Sequence, residues 1–271
     1  MLKTALQLYS VRDALGEDFA GRMKQLAGMG YDGVELAGTY SLTAAEMKKA
    51  ADDAGLVIIS AHIPYADMTA RPDFYVEYLS EIGSGQAVIP YIAREYLPGG
   101  DKYGEFKEGI KMLSEKFSRV GIQLAYHNHD FEFGKEDGRY LLDILYSDMP
   151  ADVLKTQIDT CWVNVAGEDP VAYVKKYAGR CPTVHLKDFV GSKGNGCPYA
   201  LIGLKDSAPT GAGTFDFRPC GYGVQDMSAL TKAAEKAGAE WQIVEQDQSS
   251  MGKTSLECAE MSIKYLKGLG I

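Results

Sequence analysis

The chain has 271 residues, of which 46% are hydrophobic, and it carries a formal net charge of −9 at pH 7. This length and apolar content allow a large buried core in one domain or two. The acidic balance repels nucleic-acid phosphates and anionic lipids, and no apolar stretch reaches the ~20 residues that a membrane-spanning helix needs. We therefore expect no nucleic-acid partner and no membrane association.

The five cysteines are scattered and odd in number, without the close pairs of a zinc or redox motif. Reduced thiols, and hence a cytoplasmic location, are the simplest interpretation. The first residues, "MLKTALQLYS", lead directly into a strand-like run. They predict no export signal, although a trimmed leader would leave the same sequence.

Short apolar runs alternate with longer amphipathic segments along the whole chain. The short runs predict strands at 4–10, 33–36, 56–62, 87–92, 122–127, 154–159, 182–188 and 241–247. Helices are predicted between them. Several of these end in glycine, which favours a left-handed helix terminus, and a serine or threonine cap is predicted ahead of Glu46.

Eight strand–helix repeats predict an α/β fold of the (β/α)8 TIM barrel type, which needs ~250 residues. A doubly wound open sheet is the alternative, but the first turn, "YSVRDALGED", lacks its GxGxxG motif. We predict a single domain over residues 1–271. A long loop insertion, rich in glycine and proline, is predicted at about 189–225 over the active-site face.

Polar side chains follow almost every predicted strand, and the carboxyl ends of barrel strands are where the chemistry lies. They are Gln7, Tyr9, Glu35, His62, His127, Asn128, His129, Asp159, His185, Lys187, Asp188, Glu245 and Asp247. Any one of them could simply cap a helix or pack in the core. Together they would crowd like charges at one mouth, which a divalent cation relieves.

Five segments resemble the xylose isomerase-like TIM-barrel superfamily of sugar isomerases and epimerases, which also includes inosose dehydratase and endonuclease IV. They are "GYDGVEL" (30–36), "YHNHDFEF" (126–133), "QIDTCW" (157–162), "VHLKD" (184–188) and "WQIVEQD" (241–247). The resemblance spans essentially the whole chain and is more specific for the fold and the metal site than for the substrate.

The resemblance implies a metal held by Asp159, His185, Glu245 and a glutamate at the end of the fifth strand. This chain departs from that pattern, because His127 stands where the family commonly has the glutamate. His127 either supplies an imidazole nitrogen or only hydrogen-bonds in the barrel mouth, and we favour the four-ligand set. Two imidazoles and two carboxylates suit Mn²⁺, Co²⁺, Fe²⁺ or Zn²⁺ better than Mg²⁺.

The departure also bears on mechanism, because the resemblance implies two metal-bound glutamates on opposite faces of the substrate. Glu245 remains as the base that removes a proton next to a carbonyl, through an enediolate. His129, His62 or Lys187 would act as the opposing acid. Symmetric two-base epimerisation is therefore less favoured than a one-base reaction.

Candidate substrate contacts are Tyr9, Glu35, His62, Trp162 and Arg218. The aromatic rings of Tyr9 and Trp162 would stack on a sugar, and Arg218 resembles a family arginine near metal and substrate. Ordinary alternatives stay open: Trp162 packs in the core, Arg218 is a loop charge, and Glu35 orients Lys187 or a histidine.

These observations predict a metal-dependent sugar isomerase or epimerase acting on a small keto-sugar or polyol. The first alternative is a lyase of the inosose dehydratase or keto-glycoside-cleaving kind, and the second is a non-catalytic sugar-binding barrel. Phosphodiester cleavage is disfavoured, since the chain has only four histidines and a charge of −9. The expected partner is a small carbohydrate, and a homodimer formed through loops near the site is possible.

Overall fold

The computed structural model describes residues 2–16, 18–193 and 213–270. Its centre is a closed barrel of eight parallel strands, in which each strand pairs with its neighbours in sequence and the last pairs with the first. The strands are β1 (Lys3–Gln7), β2 (Gly33–Ala37), β3 (Val57–His62), β4 (Gln86–Ile89), β5 (Gln123–His127), β6 (Lys155–Asp159), β7 (Thr183–Leu186) and β8 (Trp241–Val244). The predicted (β/α)8 barrel is confirmed, and every predicted strand overlaps an observed one.

Helices surround the barrel. They are α1 (Arg12–Leu15), α2 (Phe19–Met29), α3 (Ala44–Ala54), α4 (Tyr65–Ala70), α5 (Pro72–Glu81), α6 (Tyr103–Ser118), α7 (Leu141–Asp148), α8 (Thr160–Val165), α9 (Pro170–Lys176), α10 (Met227–Ala237) and α11 (Ser255–Gly268). The cap predicted ahead of Glu46 is Thr43, which forms a reciprocal capping box with that glutamate. Gly55 ends the same helix with φ of +72°, a conformation that glycine adopts without strain.

The segment after β7 forms an antiparallel hairpin, in which Asp188–Val190 pairs with Asp216–Arg218. It belongs to the predicted insertion at 189–225, of which residues 194–212 lie outside the described part of the chain. Asp188 accepts hydrogen bonds of 2.9–3.1 Å from the backbone of Phe189 and of three residues between 221 and 225. The Asp188 carboxylate thus holds the first strand of the hairpin and the residues that follow the second strand together.

Strand periodicity of two decides which side chains enter the barrel. At its amino end the interior holds an apolar cluster of Ala5, Ile59 and Ile243, against which the Trp241 ring packs. At its carboxyl end the inward side chains are polar and charged, and these form the candidate site. Among the described residues, no helix is both long and apolar enough to cross a bilayer.

Candidate active site

A cavity of about 380 Å³ opens at the carboxyl ends of the strands. Its polar lining includes Tyr9, His62, Asp67, Tyr91, His127, His129, Lys187, Glu245 and Asp247. A volume of this size is typical of sites that bind small molecules. The barrel therefore presents a small-molecule cavity on the face where its strands deliver their polar ends.

Four side chains converge beside this cavity, namely His127, Asp159, His185 and Glu245. One nitrogen or oxygen atom from each lies within 4.8 Å of the other three, and all four residues are buried. Asp159 Oδ1 caps α8 by accepting from the backbone of Cys161, at 2.8 Å. Asp159 Oδ2 is buried and accepts no hydrogen bond from the described residues, but it lies 3.5 Å from His127 Nε2 and 3.2 Å from the Lys187 ammonium. Two imidazoles and two carboxylates are a donor set that fits a divalent transition metal.

Glu35 lies directly beneath this cluster and is completely buried. It accepts hydrogen bonds from Gln7 Nε2, Ser60 Oγ, Gln157 Nε2 and His185 Nε2 at 2.6–2.8 Å, and His62 Nε2 is 3.1 Å away. Burial alone would raise the pKa of Glu35, but the two histidines hold it well below its usual range. Glu35 is therefore an ionised base for the imidazoles above it.

His185 bridges two carboxylates. Its Nε2 is 2.8 Å from Glu35 Oε1, and its Nδ1 is 2.9 Å from Glu245 Oε2. Burial opposes protonation, yet these two carboxylates raise the pKa of His185 to about 10. A carboxylate behind a histidine fixes the orientation of the ring toward whatever the other nitrogen binds.

Lys187 occupies the other side of Glu245 and is only 1% exposed. Its ammonium lies 2.9 Å from Glu245 Oε2, 3.1 Å from Asp247 Oδ2 and 3.2 Å from Asp159 Oδ2. Burial works against the charge, but the three carboxylates hold the pKa of Lys187 well above its usual range. Burial also disfavours ionised Glu245, and Lys187 and His185 together keep its pKa well below normal. A proton acceptor and a proton donor thus stand side by side at the cavity.

A family model described as "Xylose isomerase-like TIM barrel" matches residues 23–269. The chain belongs to this family. The xylose isomerase-like family is a family of enzymes, and in barrels of this fold active sites lie at the carboxyl ends of the strands, the end at which this cluster is found.

Individual relatives within the xylose isomerase-like family are distant. An inosose dehydratase of Clostridium botulinum is 25% identical, with 92% of this chain and 89% of the relative covered. A sugar phosphate isomerase/epimerase from Parabacteroides distasonis has a TM-score of 0.75 at 24% identity, with 98% of this chain and 93% of that one covered. The probable 3-DHS dehydratase from Bacillus anthracis has a TM-score of 0.74 at 15% identity, covering 98% and 99%. The structural similarities show a shared fold.

The predicted substrate contacts divide into two groups. Tyr9 and His62 line the cavity, as do the predicted catalytic residues His129, Lys187 and Glu245. Glu35, Trp162 and Arg218 are not part of its described lining. Glu35 instead contacts His185 and His62, which agrees with the alternative that it orients a histidine and not Lys187.

Trp162 and Arg218 face other neighbours. Trp162 is completely buried, and the Lys187 ammonium lies 5.4 Å from the centre of its ring. The Arg218 guanidinium pairs with Asp216 and donates 2.8 Å to the carbonyl oxygen of Phe217, within its own hairpin. Both partners belong to the Asp216–Arg218 strand itself, so the Arg218 side chain is held by its own strand.

The His129 ring packs against two aromatic rings. Phe131 stacks on it at 5.3 Å, and Trp162 lies 5.4 Å away. Its Nδ1 is buried and has no hydrogen-bond partner among the described residues. Burial, with Lys187 nearby, lowers the pKa of His129 to about 3. This histidine is therefore a neutral imidazole on the wall of the cavity.

Sequence reasoning missed Gln157, which organises the centre of the site. Its Nε2 donates to Glu35 at 2.7 Å, and its Oε1 lies 2.7 Å from His62 Nε2 and 3.1 Å from His127 Nδ1. The available signal was its position two residues before Asp159 in β6, which puts both side chains on the inward face. Asp67 and Tyr91, which also line the cavity, follow strands and were equally open to detection.

Proposed function

We propose that this enzyme removes a proton next to the carbonyl of a small cyclic or open-chain keto-sugar and expels the neighbouring hydroxyl as water. The observation that carries the proposal is the 2.9 Å contact between Glu245 and Lys187 at the cavity wall. A base and an acid held side by side serve an elimination, in which one face of the substrate loses a proton and a hydroxyl. The sequence alone favoured isomerisation, and this geometry favours dehydration.

The roles follow from what each side chain can hold. His127, Asp159, His185 and Glu245 would bind a divalent cation, which polarises the substrate carbonyl and stabilises developing negative charge. Glu245 takes the proton next to the carbonyl, and the C–H electron pair becomes the new C=C bond. Lys187 gives its proton to the departing hydroxyl, which leaves as water. Asp247, at 3.1 Å, keeps the Lys187 ammonium in place.

The comparisons support this choice without deciding the substrate. The curated relatives that cover most of this chain are called inosose dehydratases, at 22–25% identity. The cavity volume of about 380 Å³ suits a small ligand, and Tyr9 and Tyr91 provide aromatic surface for the apolar face of a sugar ring. A binding-only barrel is disfavoured, because the chain belongs to a family of enzymes.

Isomerisation or epimerisation is the second candidate, supported by His129. Its place in the cavity lining puts an imidazole beside the substrate, but the lowered pKa of His129 makes that imidazole a weak base, which keeps this candidate second. In that case Glu245 still removes the first proton, but a proton returns to carbon and no water is lost. The two reactions share their first step and differ in the mass of the product.

The test is NMR and mass spectrometry of an inosose, followed in D₂O with the manganese-loaded enzyme. We expect wild-type protein to exchange the proton next to the carbonyl and to release a product lighter by one water. Glu245→Gln should lose both activities by about 10²–10⁴-fold. Lys187→Met should keep exchange and lose dehydration, while the exposed control Glu115→Gln should behave as wild type.

Three outcomes would contradict parts of this proposal. Full proton exchange in Glu245→Gln would remove that residue from the base role. A product that keeps all its oxygen and gains only the mass of incorporated deuterium would replace dehydration by isomerisation. Absence of exchange in the wild type, with the inosose and with a panel of open-chain ketoses, would overturn the proposed function.

A further inference from the structure

A second cavity, of about 350 Å³, opens at the amino-terminal end of the barrel, opposite the candidate active site. The first residues of β3, β4, β5, β7 and β8 line it, namely Val57, Gln86, Gln123, Thr183 and Trp241. Barrels of this fold are normally filled by layers of branched side chains. Ile59, a member of the apolar cluster inside the barrel, also lines this cavity, so the cavity lies against that packed cluster.

Gln86 brings an unused hydrogen-bonding group to this cavity. The residue is 5% exposed, and its Nε2 is buried with no hydrogen-bond partner in the part of the chain that the structure describes. The Thr183 hydroxyl accepts from Gln157 Nε2 at 3.1 Å and donates its own proton to Gln86 Oε1, also at 3.1 Å. In this arrangement the Gln86 NH₂ group is left for another acceptor. A buried donor without an acceptor costs stability unless a ligand or water satisfies it.

We propose that this cavity is a second binding site, for a small neutral polyhydroxylated molecule of about monosaccharide size. The Gln86 amide would donate to a hydroxyl oxygen, and the partly buried Trp241 ring would cover an apolar face of the ligand. Glu240 is the charged residue of the described lining, so its carboxylate would accept hydrogen bonds from ligand hydroxyls and would repel anions. Glycines at positions 83, 85 and 121 keep the mouth of the cavity open.

The same hydrogen bonds connect this site to the other end of the barrel. From Gln86 they pass through Thr183 Oγ1 to Gln157, whose amide contacts His62, His127 and Glu35. A ligand that holds the Gln86 amide therefore restricts the side chain that orients two of the active-site imidazoles. Such a site would couple occupancy at one end of the barrel to histidine geometry at the other.

Fluorescence provides the first test, because the chain contains only two tryptophans. In a Trp162→Phe background, Trp241 reports on the amino-terminal cavity during titration with glucose, myo-inositol and glycerol. We expect a saturable change for at least one probe, with a midpoint raised about tenfold by Gln86→Met, which removes one hydrogen bond. Val57→Phe, a change at a position that is 47% exposed, should block the mouth and abolish the response.

A variant at the active-site cavity is the matched control. Tyr91→Ala should leave the Trp241 response unchanged, since Tyr91 lines the opposite cavity. No saturable response to any of the three probes would mean that only water meets Gln86, and it would overturn the proposal. A response that survives both Gln86→Met and Val57→Phe would overturn it as well, because the probe would then bind elsewhere.

The coupling is tested by NMR of the histidine side chains, of which the chain has four. Binding of the active probe should shift the His62 and His127 resonances, and Gln86→Met should remove those shifts. Thr183→Val should also remove them while the Trp241 response remains. Histidine shifts that persist in Thr183→Val would show that the signal does not pass through the Gln86–Thr183–Gln157 chain.

Discussion

At the carboxyl ends of its strands the barrel interior holds Glu35, His185 and Glu245 in direct contact, whereas at the amino ends it holds Ile59, Ile243 and the Trp241 ring. Both sets are buried in the same barrel. The charged set is ordered by pairing, because each carboxylate needs the imidazole or ammonium beside it. The apolar set is ordered by packing, which tolerates a change of one methyl group at modest cost.

This difference indicates where a substitution should destabilise the protein most. Removing one partner from a network of buried charges leaves an uncompensated group, while trimming an aliphatic side chain leaves a small void. Gln157 and Thr183 lie at the boundary between the two ends, and their amide and hydroxyl connect them. Substitutions at the two ends should therefore differ in how much they lower the free energy of unfolding and in whether they also affect metal binding.

The largest expected effect on function is loss of the metal. Wild-type protein should bind a stoichiometric amount of Mn²⁺, Co²⁺, Fe²⁺ or Zn²⁺, and His127→Ala combined with Asp159→Ala should bind none. Metal at a hundred times its dissociation constant should stabilise the wild type by about 2.7 kcal/mol and the double variant not at all. Elemental analysis and thermal unfolding with added metal measure this, and equal metal content in both proteins would contradict the proposed ligand set.

Glu35→Ala should be the most damaging single change to stability at the charged end. It leaves His185, Gln7, Ser60 and Gln157 without their buried acceptor, at a cost of about 3–5 kcal/mol in the free energy of unfolding. Urea denaturation measures this cost. The matched variant Glu35→Gln keeps the size and should mainly weaken metal binding by about 10–100-fold, measured by titration calorimetry. Wild-type stability in Glu35→Ala would mean that Glu35 is not compensating these groups.

The sequence was sufficient to predict the barrel because its signal is local. Each strand is a short apolar run, and the polar residues at strand ends were found because they follow those runs. The predicted ends were less accurate: β1 ends at Gln7 rather than residue 10, since Tyr9 belongs to a 3₁₀ turn (Leu8–Val11). β8 likewise ends at Val244, before Glu245. Polar side chains that continue a strand pattern into a loop are indistinguishable from strand residues by alternation alone.

The contacts inside the site required the structure. Glu35 and His185 are 150 residues apart and meet across the barrel, on strands that are not hydrogen-bonded to each other. Gln157 was not predicted because it lies inside β6, two residues before the strand end where polar side chains were expected. Arg218 resembled a site residue, and only the hairpin geometry shows that it pairs with Asp216. The local sequence pattern predicts where a residue lies along its strand. Which other residue it contacts depends on the tertiary fold.

Glu132 is a buried carboxylate at the charged end whose described partners are neutral, and it should make stability depend on pH. It accepts from the Tyr126 hydroxyl and, at 2.8 Å, from the His129 backbone, and burial raises its pKa from 4.5 to about 8. Between these values the folded state binds a proton that the unfolded state has released. This contribution is therefore fully present below pH 4.5 and is lost as pH rises to about 8.

Glu132→Gln tests this dependence, because the amide keeps the shape, its oxygen can still accept from the His129 backbone N–H, and its NH₂ group can donate to the Tyr126 hydroxyl oxygen. The free energy of unfolding of the wild type should fall relative to the variant by roughly 2–4 kcal/mol between about pH 5 and pH 8. Urea unfolding of both proteins at a series of pH values measures the difference. A constant difference across that range would mean that Glu132 ionises normally and that the charged end is not the source of the pH dependence.

Ile243→Val should give the smallest effect and separates the two ends most cleanly. Ile243 is completely buried in the apolar cluster on β8, two residues before Glu245. Losing one methyl group should lower the free energy of unfolding by about 1 kcal/mol and leave metal affinity unchanged, because the valine keeps the β-branched shape that holds the strand. A fall in metal affinity would show that packing at the amino end reaches the ligands through the β8 backbone. The polar contacts of Gln157 would then no longer be the sole connection proposed between the two ends.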